Sequence, residues 1–103
     1  MKQLSKEEIH NQLNTLNTEN ISTLFKLMSE EIRFKLIYIL SHQEKMCVSE
    51  LADFINASVA TTSHHLQLLK KYELVESTRE GKQIFYSIHH PKVLHLMKAG
   101  FDF

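Results

Sequence analysis

Apolar residues follow two different periods in the second half of the chain. They recur at helical spacing in residues 48–55 and 59–71, which predicts two short helices joined by the polar turn at 56–58. In residues 74–88 they alternate with polar residues on either side of Glu80 and Gly81, which predicts a β-hairpin. The order helix, turn, helix, hairpin is the outline of a winged helix-turn-helix.

The rest of the pattern predicts further helices. Residues 1–19 carry a few apolar side chains among polar ones, which predicts an amphipathic N-terminal arm. One helix is expected to begin near Asn20 and another at 29–31, and the second of these is apolar on several sides, so we expect it to be central. Pro91 suits the first turn of a last helix. The prediction is a mainly α domain over 20–103 with a β-hairpin wing, preceded by the arm.

Composition limits the function classes. A chain of 103 residues supports one core, and its single cysteine, Cys47, excludes a disulfide within the chain. No signal peptide or apolar run of membrane-spanning length is found, so we expect a cytoplasmic protein with no membrane partner. No Gly-rich phosphate loop, nucleophile–base pair or carboxylate pair is recognisable, so an enzyme is not expected.

The formal net charge is zero, with twelve basic and twelve acidic side chains, but the charges are unevenly placed. Lys70, Lys71, Arg79 and Lys82 all fall in the second helix of the motif and in the hairpin. This distribution predicts modest and strongly salt-dependent affinity for nucleic acid of any sequence.

Residues 63–88, S-H-H-L-Q-L-L-K-K-Y-E-L-V-E-S-T-R-E-G-K-Q-I-F-Y-S-I, resemble the signature of the ArsR/SmtB family of bacterial repressors. The shared features are a His-Leu helix, a Leu-Val strand, an Arg-x-Gly-Lys wing tip and a Tyr-Ser end, and the resemblance extends weakly back to Leu24. The segment M-C-V-S-E-L-A-D looks most like that of the members that sense cadmium, lead or zinc. The resemblance implies a transcriptional repressor that an inducer releases from its operator.

The resemblance also implies which residues meet double-stranded DNA. Hydroxyl groups and a histidine ring suit base edges and phosphates, and a valine or threonine methyl suits a thymine methyl. The implied contacts from the second helix are Val59, Ala60, Thr62, Ser63 and His64, and those from the wing are Arg79, Lys82 and Gln83. The alternative is a solvated helix face with basic residues that only confer solubility.

A single recognition helix reads few bases, so a homodimer on an inverted-repeat operator is expected. Members of the family dimerise through their first and last helices. The corresponding apolar residues here are Leu24, Met28, Val93, Leu94, Leu96 and Met97. A monomer that packs these residues internally is the alternative.

The inducer is predicted to be a divalent metal, Zn²⁺ or Cd²⁺. Cys47 and Glu50 stand three residues apart, so a thiolate and a carboxylate lie on one helix face. Zinc-sensing relatives complete their site from the N-terminal arm, which here offers His10, whereas Ser49 stands where cadmium-sensing relatives have a second cysteine. The family's other metal site, on the last helix, is expected to be lost, because Lys92 occupies a ligand position.

Three alternatives to metal sensing stay open at this point. Cys47 could be a redox switch, or a small buried residue with no sensing role, which would leave a repressor with another inducer. The winged helix could instead serve only protein interaction, in which case no salt-sensitive binding to duplex DNA is expected.

Overall fold

The computed structural model describes residues 3–90, 93–95 and 97. Within residues 3–90, five helices and three strands have the order expected of a winged helix-turn-helix, which confirms the predicted mainly α class. They are α1 Lys6–Thr15, α2 Thr18–Ser29, α3 Glu31–His42, β1 Met46–Cys47, α4 Val48–Ile55, α5 Val59–Lys71, β2 Val75–Glu80 and β3 Gln83–Ile88. Residues 93–95 and 97 are also helical, whereas Pro91 and Lys92 lie outside the described residues.

Helix α3 is the centre of the core, as its apolar surface predicts. Its residues Leu36, Ile37 and Leu40 are buried, and the helix packs against α2, α4, α5 and β3. Leu51 of α4 and Leu66 of α5 belong to the same buried apolar cluster. Burying such side chains stabilises the fold by about 1.5–3 kcal/mol each. Helix α5 therefore packs with its buried face against α3.

Local chemistry sets the turn between α4 and α5. Asn56 ends α4 in the left-handed conformation (φ 54°), which asparagine tolerates better than most residues. Two residues later the side chain of Ser58 accepts a hydrogen bond from the backbone N–H of Thr61 and begins α5. The helix boundaries predicted at 48–55 and 59–71 are confirmed.

The sheet is antiparallel and has the order β1-β3-β2. Strand β1 pairs Met46 with Tyr86 and Cys47 with Phe85. The sequence did not predict β1, because two residues are too few for an alternating pattern. The hairpin turn was predicted at Glu80-Gly81, but Glu80 pairs with Gln83, so the loop is Gly81 and Lys82. Gly81 has φ +64°, a conformation that glycine adopts without strain at the first position of a two-residue loop.

Helix α1 differs from the other helices because none of its residues is buried. Ser5 and Glu8 form a capping box at its start, which favours the helix locally. Its apolar residues Ile9 and Leu13, and Leu16 just after it, remain exposed. Among the described residues, no helix is both long enough and apolar enough to pass through a lipid bilayer.

Candidate nucleic-acid interface

The exposed face of α5 carries most of the predicted base contacts. Val59 is 54% exposed at the start of the helix, an unusual placement for a valine, and Ala60 and His64 are also exposed. Ser63 is partly buried and lies one turn before Gln67, whose Nε2 donates to Ser63 Oγ at 3.3 Å. This face combines apolar groups with hydrogen-bonding groups, as base recognition requires.

Thr62 was predicted to contact DNA, and its position contradicts that prediction. The residue is 0% exposed and faces the core beside Leu66. Its hydroxyl donates to the carbonyl oxygen of Ser58 at 2.8 Å, so its polar group is satisfied inside the protein. Residues three to four positions apart share a helix face, so Thr62 lies on the face of Leu66 and Leu69. Thr62 supports α5 from behind.

The wing tip exposes its predicted contacts. Arg79, Lys82 and Gln83 are all exposed, and Arg79 Nε donates to the carbonyl oxygen of Gly81 at 3.3 Å. The acidic residue between them, Glu80, forms an ion pair with Lys45 of the loop before β1. The charge of Glu80 is thus balanced by Lys45, and Arg79 and Lys82 supply positive charge at the tip, which suits a phosphate backbone.

Helix α5 and the wing are joined directly. Lys70 Nζ, in the last turn of α5, donates to Ser77 Oγ of β2 at 2.8 Å. At the base of the hairpin, His89 Nδ1 lies 2.9 Å from Glu76 Oε2. The contact between His89 and Glu76 closes the base of the hairpin, whereas the contact between Lys70 and Ser77 couples the orientation of the wing to that of α5.

The cysteine environment lies at the start of α4, on the opposite edge of the sheet from β2. Cys47 is 5% exposed, and its Sγ is 3.1 Å from Glu50 Oε1 and 3.3 Å from Ser49 Oγ. The same carboxylate oxygen accepts from the backbone N–H of Cys47 at 3.3 Å. Hydrogen bonds from the side chain and then the backbone of Cys47 lower the pKa of Glu50.

Similarity to known proteins identifies the family. Residues 30–77 match the pattern of bacterial regulatory proteins of the arsR family. The chain is 44% identical over 91 residues to the cadmium resistance transcriptional regulatory protein CadC of Listeria innocua, which is 88% of this chain and 76% of that protein. The chain belongs to the ArsR family.

Two further similarities, both to transcriptional regulators, agree with this assignment. The CadC homolog of Staphylococcus aureus is 36% identical over 85 residues, 82% of this chain and 70% of that protein. The structure of the transcriptional repressor BigR from Xylella fastidiosa has a TM-score of 0.74 at 28% identity, over 93% of this chain and 92% of that one. Family membership confirms the predicted class, a DNA-binding transcriptional regulator and not an enzyme.

The predicted metal ligands of this ArsR-family chain are only partly brought together. Cys47 and Glu50 are in contact, but His10 is an exposed residue of α1. Across residues 3–90, 93–95 and 97, no group of three or more histidine, cysteine, aspartate or glutamate side chains could hold a metal ion. Two donors do not make a site for Zn²⁺ or Cd²⁺, so the described residues of one subunit do not complete a metal site.

The predicted dimer residues divide into two groups. Val93 and Met97 are buried in the core of one subunit, which corrects the prediction that they face a partner. Leu24, Met28 and Leu94 are only partly buried, and Leu96 lies outside the described residues. Leu24 and Met28 line a groove of about 510 Å³ together with Phe25, which is exposed. Phe25 was missed, although it adjoins Leu24 in the same apolar run.

Proposed function

We propose that this ArsR-family chain is a homodimeric repressor that occupies an inverted-repeat operator and leaves it when an inducer binds. The observation that carries the proposal is the α5 face joined to a basic wing through Lys70 and Ser77. Such a unit places base-reading and phosphate-binding groups in fixed relation, which operator recognition requires.

The contacts of this unit divide by chemistry. Ala60, Ser63 and His64 face base edges in the major groove, and Val59 packs against a thymine methyl. Arg79, Lys82 and Gln83 of the wing bind the phosphate backbone or the adjacent minor groove. Gln67 joins the first group, because it shares the face of Ser63 and is exposed.

Dimerisation is proposed through α2. The groove beside Leu24, Phe25 and Met28 leaves apolar surface that a partner subunit would cover. A twofold dimer then places two copies of α5 about one turn of DNA apart, at about 34 Å. Val93 and Met97 support this surface from inside the subunit.

The inducer is proposed to be Zn²⁺ or Cd²⁺. The metal-resistance names of the CadC relatives support this, as does the pairing of a thiol with a carboxylate at Cys47 and Glu50. His10 of the partner subunit would supply a third donor from α1, whose lack of buried residues leaves it able to reach across a dimer. A repressor with another inducer is the second candidate, favoured by the burial of Cys47 and by the lack of a third metal-ligating side chain beside it among the described residues.

The test is fluorescence anisotropy on a duplex from the chain's own upstream region, beside a scrambled duplex of equal length. We expect operator binding at least about a thousandfold tighter than scrambled binding, and sizing by light scattering should give a dimer. Zinc or cadmium should weaken operator binding, and Cys47→Ser and His10→Ala should abolish that response. Unchanged affinity with every metal favours the second candidate, and equal affinity for both duplexes contradicts the repressor proposal.

A further inference from the structure

A polar cluster joins the junction of α2 and α3 to the recognition helix. Glu30, between the two helices, accepts at Oε2 from the backbone N–H of Arg33 at 3.0 Å and begins α3. Arg33 Nε donates to the carbonyl oxygen of Leu27 in the last turn of α2 at 2.8 Å. Arg33 Nη1 lies 3.4 Å from Nδ1 of His65, on α5. The guanidinium of Arg33, which belongs to α3, thus contacts both α2 and α5.

The chemistry of arginine makes this contact directional. A guanidinium only donates, so His65 Nδ1 must accept and the ring proton then lies on Nε2. The competing partner of Nδ1 is Glu30 Oε2, which is farther away at 3.9 Å. The planar fork of arginine uses Nε for Leu27 and Nη1 for His65, two bonds that lysine cannot make together.

His65 is well placed to influence recognition. Its side chain is 15% exposed, so it faces the protein and not the DNA. It follows His64 directly, and the two rings meet edge to face at 5.7 Å between centroids. A change in the position of the His65 side chain is therefore expected to move His64, which is proposed to contact bases.

We infer that Arg33 and His65 are positioning residues for DNA recognition, which tie the rotation of α5 to the end of α2. The inference rests on the proposed function. Because α2 also carries Leu24 and Met28, the link joins the proposed dimer surface to the DNA surface through Leu27, Arg33 and His65. The contact between Arg33 and His65 is long for a hydrogen bond, so a moderate effect is expected.

The experiment is a double-mutant cycle measured as binding to the operator and scrambled duplexes. His65→Leu and Arg33→Lys should each weaken operator binding by about fivefold to tenfold, from the loss of one hydrogen bond to a charged group. Scrambled binding should stay unchanged. The double variant should be no weaker than the weaker single variant.

Two further variants separate positioning from mere folding. His65→Asn keeps an acceptor near the place of Nδ1 and should restore operator affinity to within about twofold, by the same hydrogen-bond reasoning. His42→Leu removes an exposed histidine at the end of α3 and should leave binding unchanged. If His65→Leu does not fold, His65→Asn and Arg33→Lys still form a cycle, in which His65→Asn should retain the dependence on Arg33.

The outcomes are distinguishable. Additive effects, equal losses on both duplexes, or failure of His65→Asn to rescue binding would overturn the inference while wild-type operator preference keeps the proposed function. A wild-type protein without operator preference would overturn both. Nitrogen NMR of the histidine rings gives a readout without DNA, because an unprotonated Nδ1 is expected at His65 in the wild type, and a protonated Nδ1 contradicts the link.

Discussion

The surface proposed to bind DNA, formed by the α5 face and the wing, differs from the surroundings of Cys47 in how many of its groups come from one subunit. The α5 face and the wing are joined by Lys70 and Ser77 and held from behind by α3. At the start of α4, by contrast, Cys47 and Glu50 contact each other. Among the described residues, no third histidine, cysteine or carboxylate joins them to form a metal site. The surface proposed to bind DNA thus lies within one subunit, whereas the proposed sensing site needs a further ligand beyond the described residues of one subunit.

The largest effect is expected at the wing. Replacing both Arg79 and Lys82 by alanine should weaken binding to every duplex by about a hundredfold or less, because two phosphate contacts are lost. The slope of log affinity against log salt should decrease by up to about 2 in magnitude. Titrations at several salt concentrations test this. An unchanged slope would show that the wing does not bind phosphates.

A smaller and more selective effect is expected on α5. His64→Ala should reduce operator binding by about tenfold, near the lower end of the range for one base contact, while scrambled binding changes little. Thr61→Ala is a matched control on the same helix, because its hydroxyl is engaged by Ser58. Equal losses on both duplexes would make His64 a phosphate contact, and no loss would remove it from the interface.

A substitution at Thr62 distinguishes a structural role of this residue from a role in DNA contact. Thr62→Val removes the hydrogen bond to Ser58 but keeps the shape, so the free energy of unfolding should fall by about 1 kcal/mol. Operator affinity of the folded protein should stay the same, because the side chain is buried. Thermal unfolding and anisotropy measure the two quantities. A loss of operator affinity without a loss of stability would indicate that Thr62 contacts DNA.

Features that depend on residues close together in the chain could be predicted from the sequence, whereas contacts between distant segments could not. Helical spacing in 48–55 and 59–71 is a local property, and it predicted both helices of the motif. Thr62 was misplaced because its residue type suited DNA while its spacing from Leu66 indicated the core. Strand β1 and the contact of Arg33 with His65 could not be predicted, because each depends on segments more than thirty residues apart.

The smallest effect is expected at Glu30, at the start of α3, where the free energy of unfolding should depend on pH. Partial desolvation is the largest influence on the pKa of Glu30 and raises it, but backbone N–H groups of Arg33 and Ile32 and nearby positive charge together lower it below 4.5. A lowered folded-state pKa gives stability that is present above 4.5 and is lost as the pH falls through the folded-state value.

Glu30→Gln keeps a side-chain acceptor at this position but cannot titrate. The difference in free energy of unfolding between wild type and Glu30→Gln should therefore be constant above about pH 6 and shrink as the pH falls through and below 4.5. Urea unfolding at a series of pH values measures this difference. A difference that grows on acidification would mean that the ionised carboxylate destabilises the junction, and the cluster at Arg33 would then lose its anchor.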